Sequence, residues 1–476
     1  MFAPAPQPRL VVAGVSGDAG KTLVSLAFLV AARDRLGDVR AFKKGPDYID
    51  AAWLGWASGR TARHLDTFLM GFPGAVAAFT RNAASGLNLV EGNRGVFDGV
   101  DARGTHSTAE LAKALDAPVI LAINATKMTR TAAALVAGVK ALDPALNIAG
   151  VVVNQVAGSR HERVLRESIE SACGVPVVGA IPKLPERSLL PERHLGLVTP
   201  EEHPSRAELE QELARIGREH LNIDRFIAIA QSAPPLPPAQ VDEPAPARGD
   251  GLKIGWLSGP AFTFYYPENL EALERSGAEL VAVPALTAGA LPADLDALYI
   301  GGGFPETHAA ELAANTGLMA SLRESAGRGL AIYAECGGLM LLARSIAWRG
   351  ARHAMAGVLP FEVEVCETPQ GHGYAILEID RPNAFYCTGA VLKGHEFHYS
   401  RIVLNGDAPT TAAAVCRGSG CFDRRDGITA GRVWAGYTHF HASATPEWAQ
   451  AILRAASGYA RDRKQSSEAT PTEAIP

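Results

Sequence analysis

The feature that most constrains this chain is the stretch Gly14-Val15-Ser16-Gly17-Asp18-Ala19-Gly20-Lys21-Thr22. It follows the short aliphatic run Arg9-Leu10-Val11-Val12-Ala13, which fits a buried strand, and precedes Leu23 to Arg33, which reads as a helix. A strand, a glycine-rich loop ending Gly-Lys-Thr and a helix form the context of a phosphate-binding loop. Backbone N–H groups around Ser16, Gly17 and Gly20 would cradle phosphates, Lys21 would reach the terminal ones, and the Thr22 hydroxyl would ligate Mg²⁺. The spacing is unusual, because five residues rather than the customary four separate Gly14 from Gly20.

More strands of the same kind follow. Val39-Arg40-Ala41-Phe42 leads into Lys43-Lys44-Gly45-Pro46-Asp47-Tyr48-Ile49-Asp50. Lysines there can hold phosphate or a substrate carboxylate, and an aspartate such as Asp47 can hold Mg²⁺. Leu87-Asn88-Leu89-Val90 ends in Glu91-Gly92-Asn93-Arg94-Gly95-Val96-Phe97-Asp98-Gly99, with Glu91 where a phosphate-loop protein places a second Mg²⁺ ligand. Ser107 and Glu110 form a capping box at a helix start. Pro118–Asn124, Ile148–Asn154 and Val175–Ile181 read as three more strands, with Asn154 placed to read an adenine edge. His64 reads as structural. Continuous apolar runs alternating with helices imply a parallel sheet covered on both faces, which binds ligands at the strands' C-terminal ends.

Prolines crowd residues 232–250, marking a linker between a domain over 1–231 and a second over 251–460. The second begins a new α/β alternation: strands at Lys253–Leu257, Glu279–Val283 and Ala297–Ile300, and a helix at Pro267–Arg275. Gly329-Leu330-Ala331-Ile332-Tyr333 then runs into Ala334-Glu335-Cys336-Gly337-Gly338-Leu339-Met340, a cysteine on a strand-to-helix turn, the arrangement of a nucleophile elbow. The helix N-terminus should favour its thiolate. Gly301-Gly302-Gly303 and Gly337 can supply oxyanion-hole N–H groups. His439 and His441, in Thr438-His439-Phe440-His441, end another strand; His439 is the candidate base for Cys336. A zinc site built from His395, His398, His439 and His441 is the rival reading, although neither spacing is a metal motif.

Composition narrows the class. The chain has 476 residues, enough for two or three cores, and a net charge of −5 with no basic excess, so nucleic acid is not an expected partner. Its six cysteines are scattered, suggesting no disulfide framework and a reducing cytoplasm. Met1 to Pro8 lacks the marks of a leader, and no apolar run reaches membrane-spanning length. Residues 461–476 read as a disordered tail.

Taken in order, these motifs resemble the cobyrinic acid a,c-diamide synthase family across nearly the whole chain. The carrying residues are Ser16–Thr22, Lys44–Asp50, Glu91–Gly99, Gly301–Glu306, Ala334–Gly338, Gly394-His395-Glu396-Phe397-His398-Tyr399-Ser400 and Thr438–His441. The resemblance implies two doubly wound α/β domains: a dethiobiotin-synthetase-like ATP domain, whose loop is also one residue longer, then a class I glutamine amidotransferase domain. It implies ATP and glutamine as co-substrates, Mg²⁺ held by Thr22, Asp47 and Glu91, and a tetrapyrrole substrate. Lys43, Lys44, Asp50 and Asp98 would handle substrate or phosphate, and ammonia would pass between the sites by a closed path. This branch lacks the usual His-x-Glu: His441 stands where the orienting glutamate is expected, so the residues support a Cys336–His439 dyad. A homodimer is a candidate assembly. The alternatives are the same amidation on sirohydrochlorin, its nickel chelate or sirohaem, and a non-catalytic partner protein of the partition-ATPase type; dethiobiotin synthetase itself has no need of a glutaminase domain.

Overall fold

The computed structural model describes residues 7–184, 192–193, 196–237 and 248–468. The chain divides into two compact units, Met1–Asp242 and Glu243–Pro476.

The first unit is built on seven strands, β1 (Arg9–Gly14), β2 (Val39–Lys44), β3 (Arg63–Leu65), β4 (Leu87–Gly95), β5 (Val119–Asn124), β6 (Ile148–Val156) and β7 (Val177–Pro182). They lie in the order β3-β2-β4-β1-β5-β6-β7, and every pairing is parallel. Central β1 is buried along its whole length, which is why it reads as a continuous apolar run. Even Arg9 is buried, its guanidinium donating to the carbonyls of Leu115 (2.6 Å) and Pro234 (2.7 Å). Around the sheet pack α1 (Lys21–Leu36), α2 (Tyr48–Ser58), α3 (Thr67–Asn82), α4 (Thr108–Ala114), α5 (Thr131–Leu142), α6 (Ser159–Cys173), α7 (Arg206–His220) and α8 (Ile223–Gln231). A small hairpin, β8 (Glu192–Arg193) with β9 (Gly196–Leu197), completes the unit. Chain order reverses about β1, whose neighbours are β4 and β5, so its C-terminal end lies at the switch point where open α/β sheets bind ligands. Side-chain caps fix the helix starts there: Asp47 for α2, Asp66 for α3 and Ser107 for α4. Glu110 reaches back as a capping box would, but to the N–H of His106 (2.5 Å).

The second unit carries strands β10 (Lys253–Ser258), β11 (Glu279–Pro284), β12 (Ala297–Ile300), β13 (Ala331–Glu335), β14 (Ser345–Trp348), β15 (Ala351–Ala354), β16 (Glu362–Val365), β17 (Gly371–Ile379), β18 (Val391–His398), β19 (Ser400–Val403), β20 (Thr411–Arg417), β21 (Arg425–Ala430), β22 (Val433–Gly436) and β23 (His439–Phe440). Its helices are α9 (Pro267–Arg275), α10 (Ala309–Ala314), α11 (Thr316–Gly327), α12 (Gly337–Leu342) and α13 (Glu447–Glu468). The main sheet runs β11-β10-β12-β13-β22-β21-β20-β17-β18-β23. Pairing is parallel from β11 to β22 and antiparallel beyond. A second sheet, β15-β14-β16-β19, stands apart. The antiparallel half is absent from the sequence reading. Its strands mix buried and exposed positions, as in Gly371–Ile379, so no continuous apolar run announces them.

Two boundaries differ from the sequence reading. Leu236 is buried in the core of the first unit, and Pro234 accepts the Arg9 hydrogen bond, so the proline-rich stretch begins as part of that unit. The expected disordered tail is helical up to Glu468. Arg463 explains the extension: it bonds Asp296 (2.8 Å) and the Leu295 carbonyl (3.1 Å), while Asp462 pairs with Arg432. Residues 238–247 of the linker and 469–476 of the tail lie outside the described residues.

Candidate active sites

At the C-terminal end of β1 the loop turns through Gly17–Ala19 into α1. The Lys21 ammonium folds back over the loop, donating to the carbonyls of Ser16 and Gly17 at 3.1 Å each. Burial and the nearby Lys43 lower its pKa, against the pull of Glu91 and Asp50. Such an ammonium gains from an incoming polyphosphate. Asn154 is buried against the loop, its Nδ2 3.5 Å from the Ala19 carbonyl and its Oδ1 accepting from Gln155 N. It is seated against the loop backbone.

Beside the loop, β2 pairs with β4 so that Lys43 lies opposite Glu91. Lys43 Nζ reaches Asp50 Oδ2 at 2.5 Å, Glu91 Oε1 at 2.8 Å and the Gly92 carbonyl at 3.3 Å. Burial opposes its charge, but Asp50, Glu91 and Asp47 outweigh it and hold the pKa above that of an ordinary lysine. Burial and the charge of Asp50 push the carboxyls of Asp47 and Glu91 up. Lys44 has the opposite balance: burial lowers its pKa, reinforced by Lys43 and Arg94 and only partly offset by Asp66 and Asp98. Asp98 accepts from Gly95 N at 2.8 Å, closing the turn after β4.

The magnesium expectation can be tested on this geometry. Thr22 Oγ1 lies 3.3 Å from Glu91 Oε1, giving a hydroxyl and a carboxylate side by side, the hard oxygen donors that Mg²⁺ prefers. These two residues fit the ion. Asp47 Oδ1 already accepts from Ile49 N and Asp50 N as the cap of α2, so its evident work is to fix the helix that carries Asp50. Among the described residues no group of three or more His, Cys, Asp or Glu is arranged to hold a metal.

In the second unit β13 ends at Glu335, and Cys336 begins the turn into α12 with φ 48° and ψ −98°. A cysteine at positive φ costs on the order of 1–3 kcal/mol and persists where surroundings enforce it. Here Cys336 N donates to the Gly436 carbonyl (2.7 Å), tying the elbow to β22. The surroundings of the thiol work against the thiolate that a helix N-terminus favours. Burial, then the charge of Glu306, with Glu335 and Glu396 behind it, push its pKa up against one bond from Gly337 N. A six-residue helix cannot offset that.

His439 arrives three residues after β22. Buried Asp426 fixes its approach. Oδ1 accepts from Gly427 N (2.7 Å), Tyr437 N (3.2 Å) and the Cys421 thiol (3.1 Å), and Oδ2 from Thr438 N (3.2 Å) and Thr438 Oγ1 (2.7 Å). The His439 ring then lies against Gly302, where a methyl group would sit 2.5 Å from Cε1 and 3.3 Å from Nε2; only glycine fits. A methyl on Gly337 would fall 3.1 Å from Gly303 N, so the elbow, the glycine run and His439 are gathered at one place. Gly301 N donates to Tyr265 Oη (2.9 Å).

His395 stacks on the His439 ring with centroids 5.0 Å apart, while His441 and His398 face other partners. His441 Nε2 is 3.5 Å from Glu268, His398 Nε2 is 3.5 Å from Glu396, and His398 stacks on Tyr437 with centroids 3.7 Å apart. Three buried carboxylates near this site, Glu335, Asp426 and Glu306, escaped the sequence reading as functional residues. For Glu335 the signal was present: an ionisable residue closing an apolar strand needs a partner inside the fold.

Comparison with known proteins agrees with both halves. Residues 10–198 match the CobQ/CobB/MinD/ParA nucleotide binding domain and residues 253–447 the CobB/CobQ-like glutamine amidotransferase domain. Proteins named cobyrinate a,c-diamide synthase are similar from end to end. That of Magnetococcus marinus is 39% identical over 94% of this chain and 97% of its own, and that of Syntrophotalea carbinolica 40% over 94% and 98%. The Archaeoglobus fulgidus protein is 38% identical over 91% and 94%. With both domains matched in order and relatives aligned over nearly their whole lengths, the chain belongs to the cobyrinate a,c-diamide synthase family.

Proposed function

We propose that this protein uses ATP and glutamine to amidate two acetate carboxylates, a and c, of cobyrinate in cobalamin biosynthesis. The observation that carries the reading is the pairing of two chemistries in one chain: a phosphate loop facing a lysine–carboxylate cluster, and a cysteine elbow gathered with a histidine and a glycine run. The first can activate a carboxylate, and the second can supply ammonia.

In the second unit, Cys336 Sγ passes its proton to His439 and attacks the side-chain amide carbon of glutamine. The tetrahedral oxyanion is held by N–H groups near Gly337, Gly302 and Gly303. The C–N bond breaks, and His439 returns the proton to the departing ammonia. Water then adds to the thioester, giving its proton to His439; the C–S bond breaks, the thiol is restored and glutamate leaves.

In the first unit, a substrate carboxylate oxygen attacks the γ-phosphorus of ATP, the bond to the β–γ bridging oxygen breaks, and ADP leaves. Ammonia attacks the resulting acyl phosphate, phosphate departs, and a proton is lost to give the amide. Lys21 follows the terminal phosphates, and Lys43, fixed between Asp50 and Glu91, offsets charge beside them. Mg²⁺, held by Thr22 and Glu91, would neutralise phosphate charge. Lys44, Asp50 and Asp98 position the substrate. No helix among the described residues is long and apolar enough to cross a membrane, which accords with a diffusible macrocycle as substrate.

The test is a substrate panel with the intact protein, ATP and glutamine, read by mass spectrometry. Cobyrinate should gain two amides, while sirohydrochlorin, its nickel chelate and sirohaem should remain unmodified. Amidation of one of the latter instead would reassign the substrate and leave the ligase chemistry standing.

A further inference from the structure

The ring of His439 has two ends, and the fold places them in different surroundings. Its Cε1–Nε2 edge lies against Gly302, next to the elbow of Cys336. Its Nδ1 is 3.5 Å from Glu335 Oε2. Both side chains are almost wholly buried, His439 at 2% and Glu335 at 0% exposure. Glu335 and Cys336 are adjacent in sequence, yet they belong to opposite faces of the sheet. Cys336 lies in the core with Leu339 and Tyr437, whereas Glu335 projects among Tyr299, Phe440 and Trp448 of the other core. His439, paired through β23 to His395 on β18, stands at the strand ends where it can meet both.

We infer that Glu335 is the third member of the glutaminase machinery, a positioning residue that holds His439 with Nδ1–H toward its carboxylate and leaves Nε2 to take the thiol proton. A buried carboxylate is costly unless it is compensated. Here Tyr299 Oη donates at 3.2 Å, Trp448 Nε1 at 3.3 Å and Phe440 N at 3.4 Å. Those three donors fix the carboxylate's orientation, and the Phe440 bond ties it to the residue after His439. Three other buried carboxylates are committed elsewhere. Glu268 faces His441, Glu396 faces His398 while accepting from Ser419 N and Gly420 N, and Asp426 binds the backbone of Tyr437 and Thr438. Glu335 lies within ion-pair distance of His439. A gap of 3.5 Å is long for a hydrogen bond, and catalytic hydrogen bonds commonly tighten once substrate is bound.

The inference rests on the glutaminase reading and not on which tetrapyrrole is the substrate, so the assay reads glutamate release by the full chain with ATP and tetrapyrrole present. Glu335→Gln, which keeps shape and removes charge, should lower kcat roughly 10²-fold or more. KM for glutamine should stay within about threefold, a split expected when only the transition state loses support. Ammonium-driven amidation should persist, and Glu335→Asp should recover part of kcat. Glu268→Gln should leave kcat near wild type. Wild-type kcat in Glu335→Gln, or the large loss appearing in Glu268→Gln instead, would overturn the inference. If the wild-type protein releases no glutamate, the glutaminase reading itself fails. Should Glu335→Gln not fold, ¹⁵N-histidine spectra of the wild-type protein decide, with His439→Asn identifying the resonance. Neutral His439 should carry its proton on Nδ1, and a proton on Nε2 would contradict the assignment.

Discussion

The two sites treat charge in opposite ways. In the first unit, Lys21, Lys43, Lys44, Asp47, Asp50 and Glu91 are gathered at strand ends, and Asp50 and Glu91 hold the buried Lys43 in its charged form. In the second, burial raises the pKa of the reacting thiol, and the nearby carboxylates raise it further. The contrast follows from the chemistry. A site for phosphoryl transfer must meet a polyanion, so it keeps standing cations. A site that attacks a neutral amide can hold its proton until substrate arrives, and burial protects the thiol in the interval. One site is ready before its ligand binds, and the other is armed by it.

That contrast can be broken, and the largest effect should come from Lys43→Ala. Removing one partner of a buried ion pair costs about 3–5 kcal/mol, and here Glu91 and Asp50 lose the same ammonium. Thermal unfolding of the first unit should drop accordingly, and amide formation should vanish with either glutamine or ammonium as nitrogen source. Retained ligation would show that the lysine is only structural.

Asp426→Asn comes next. The carboxylate accepts five hydrogen bonds, and an amide can satisfy only some of those donors, so stability should fall by about 2–3 kcal/mol. Glutamate release should slow because the segment leading to His439 loosens, while ammonium-driven amidation survives. Equal loss of both activities would mean the two sites are not separable in this way.

The resting thiol offers a pH test. A raised pKa means less thiolate than a free cysteine shows at neutral pH. Alkylation of Cys336 by iodoacetamide should therefore be at least about tenfold slower than that of a free thiol, and should keep climbing beyond the roughly 8.5 at which a free thiol titrates. A plateau at or below that pH would show a pre-formed thiolate and remove the contrast between the sites. The smallest effect belongs to Tyr299→Phe, which deletes one donor to Glu335 and should cost about 0.5–1.5 kcal/mol with a few-fold change in glutamate release; no change in either would remove Tyr299 from that support.

Legibility followed the same division. The parallel strands of both units stand out in the sequence because burial on both faces makes them continuous apolar runs, as at Val119–Asn124 and Ala297–Ile300. The residues that turn at their ends could be placed for the same reason. What escaped was whatever depends on contacts far apart in the chain. The antiparallel strands from Gly371 to Ala430 have one face or an irregular set of positions buried, so their pattern is diluted. Glu335 was in view beside Cys336, but its partner His439 lies 104 positions further on, and only the fold brings them to 3.5 Å. The upward push on the Cys336 pKa was hidden likewise, since local sequence suggests a helix N-terminus and cannot show that Glu306 is buried nearby.

The central claim is that the chain joins an ammonia-producing thiol to a separate ATP-dependent amidation. Cys336→Ala tests it most directly, with cobyrinate, ATP and either glutamine or ammonium supplied to the intact protein and amide products counted by mass spectrometry. The account predicts no amidation with glutamine and near wild-type amidation with ammonium. Amidation from glutamine by this variant, or loss of the ammonium reaction while the protein remains folded, would contradict it.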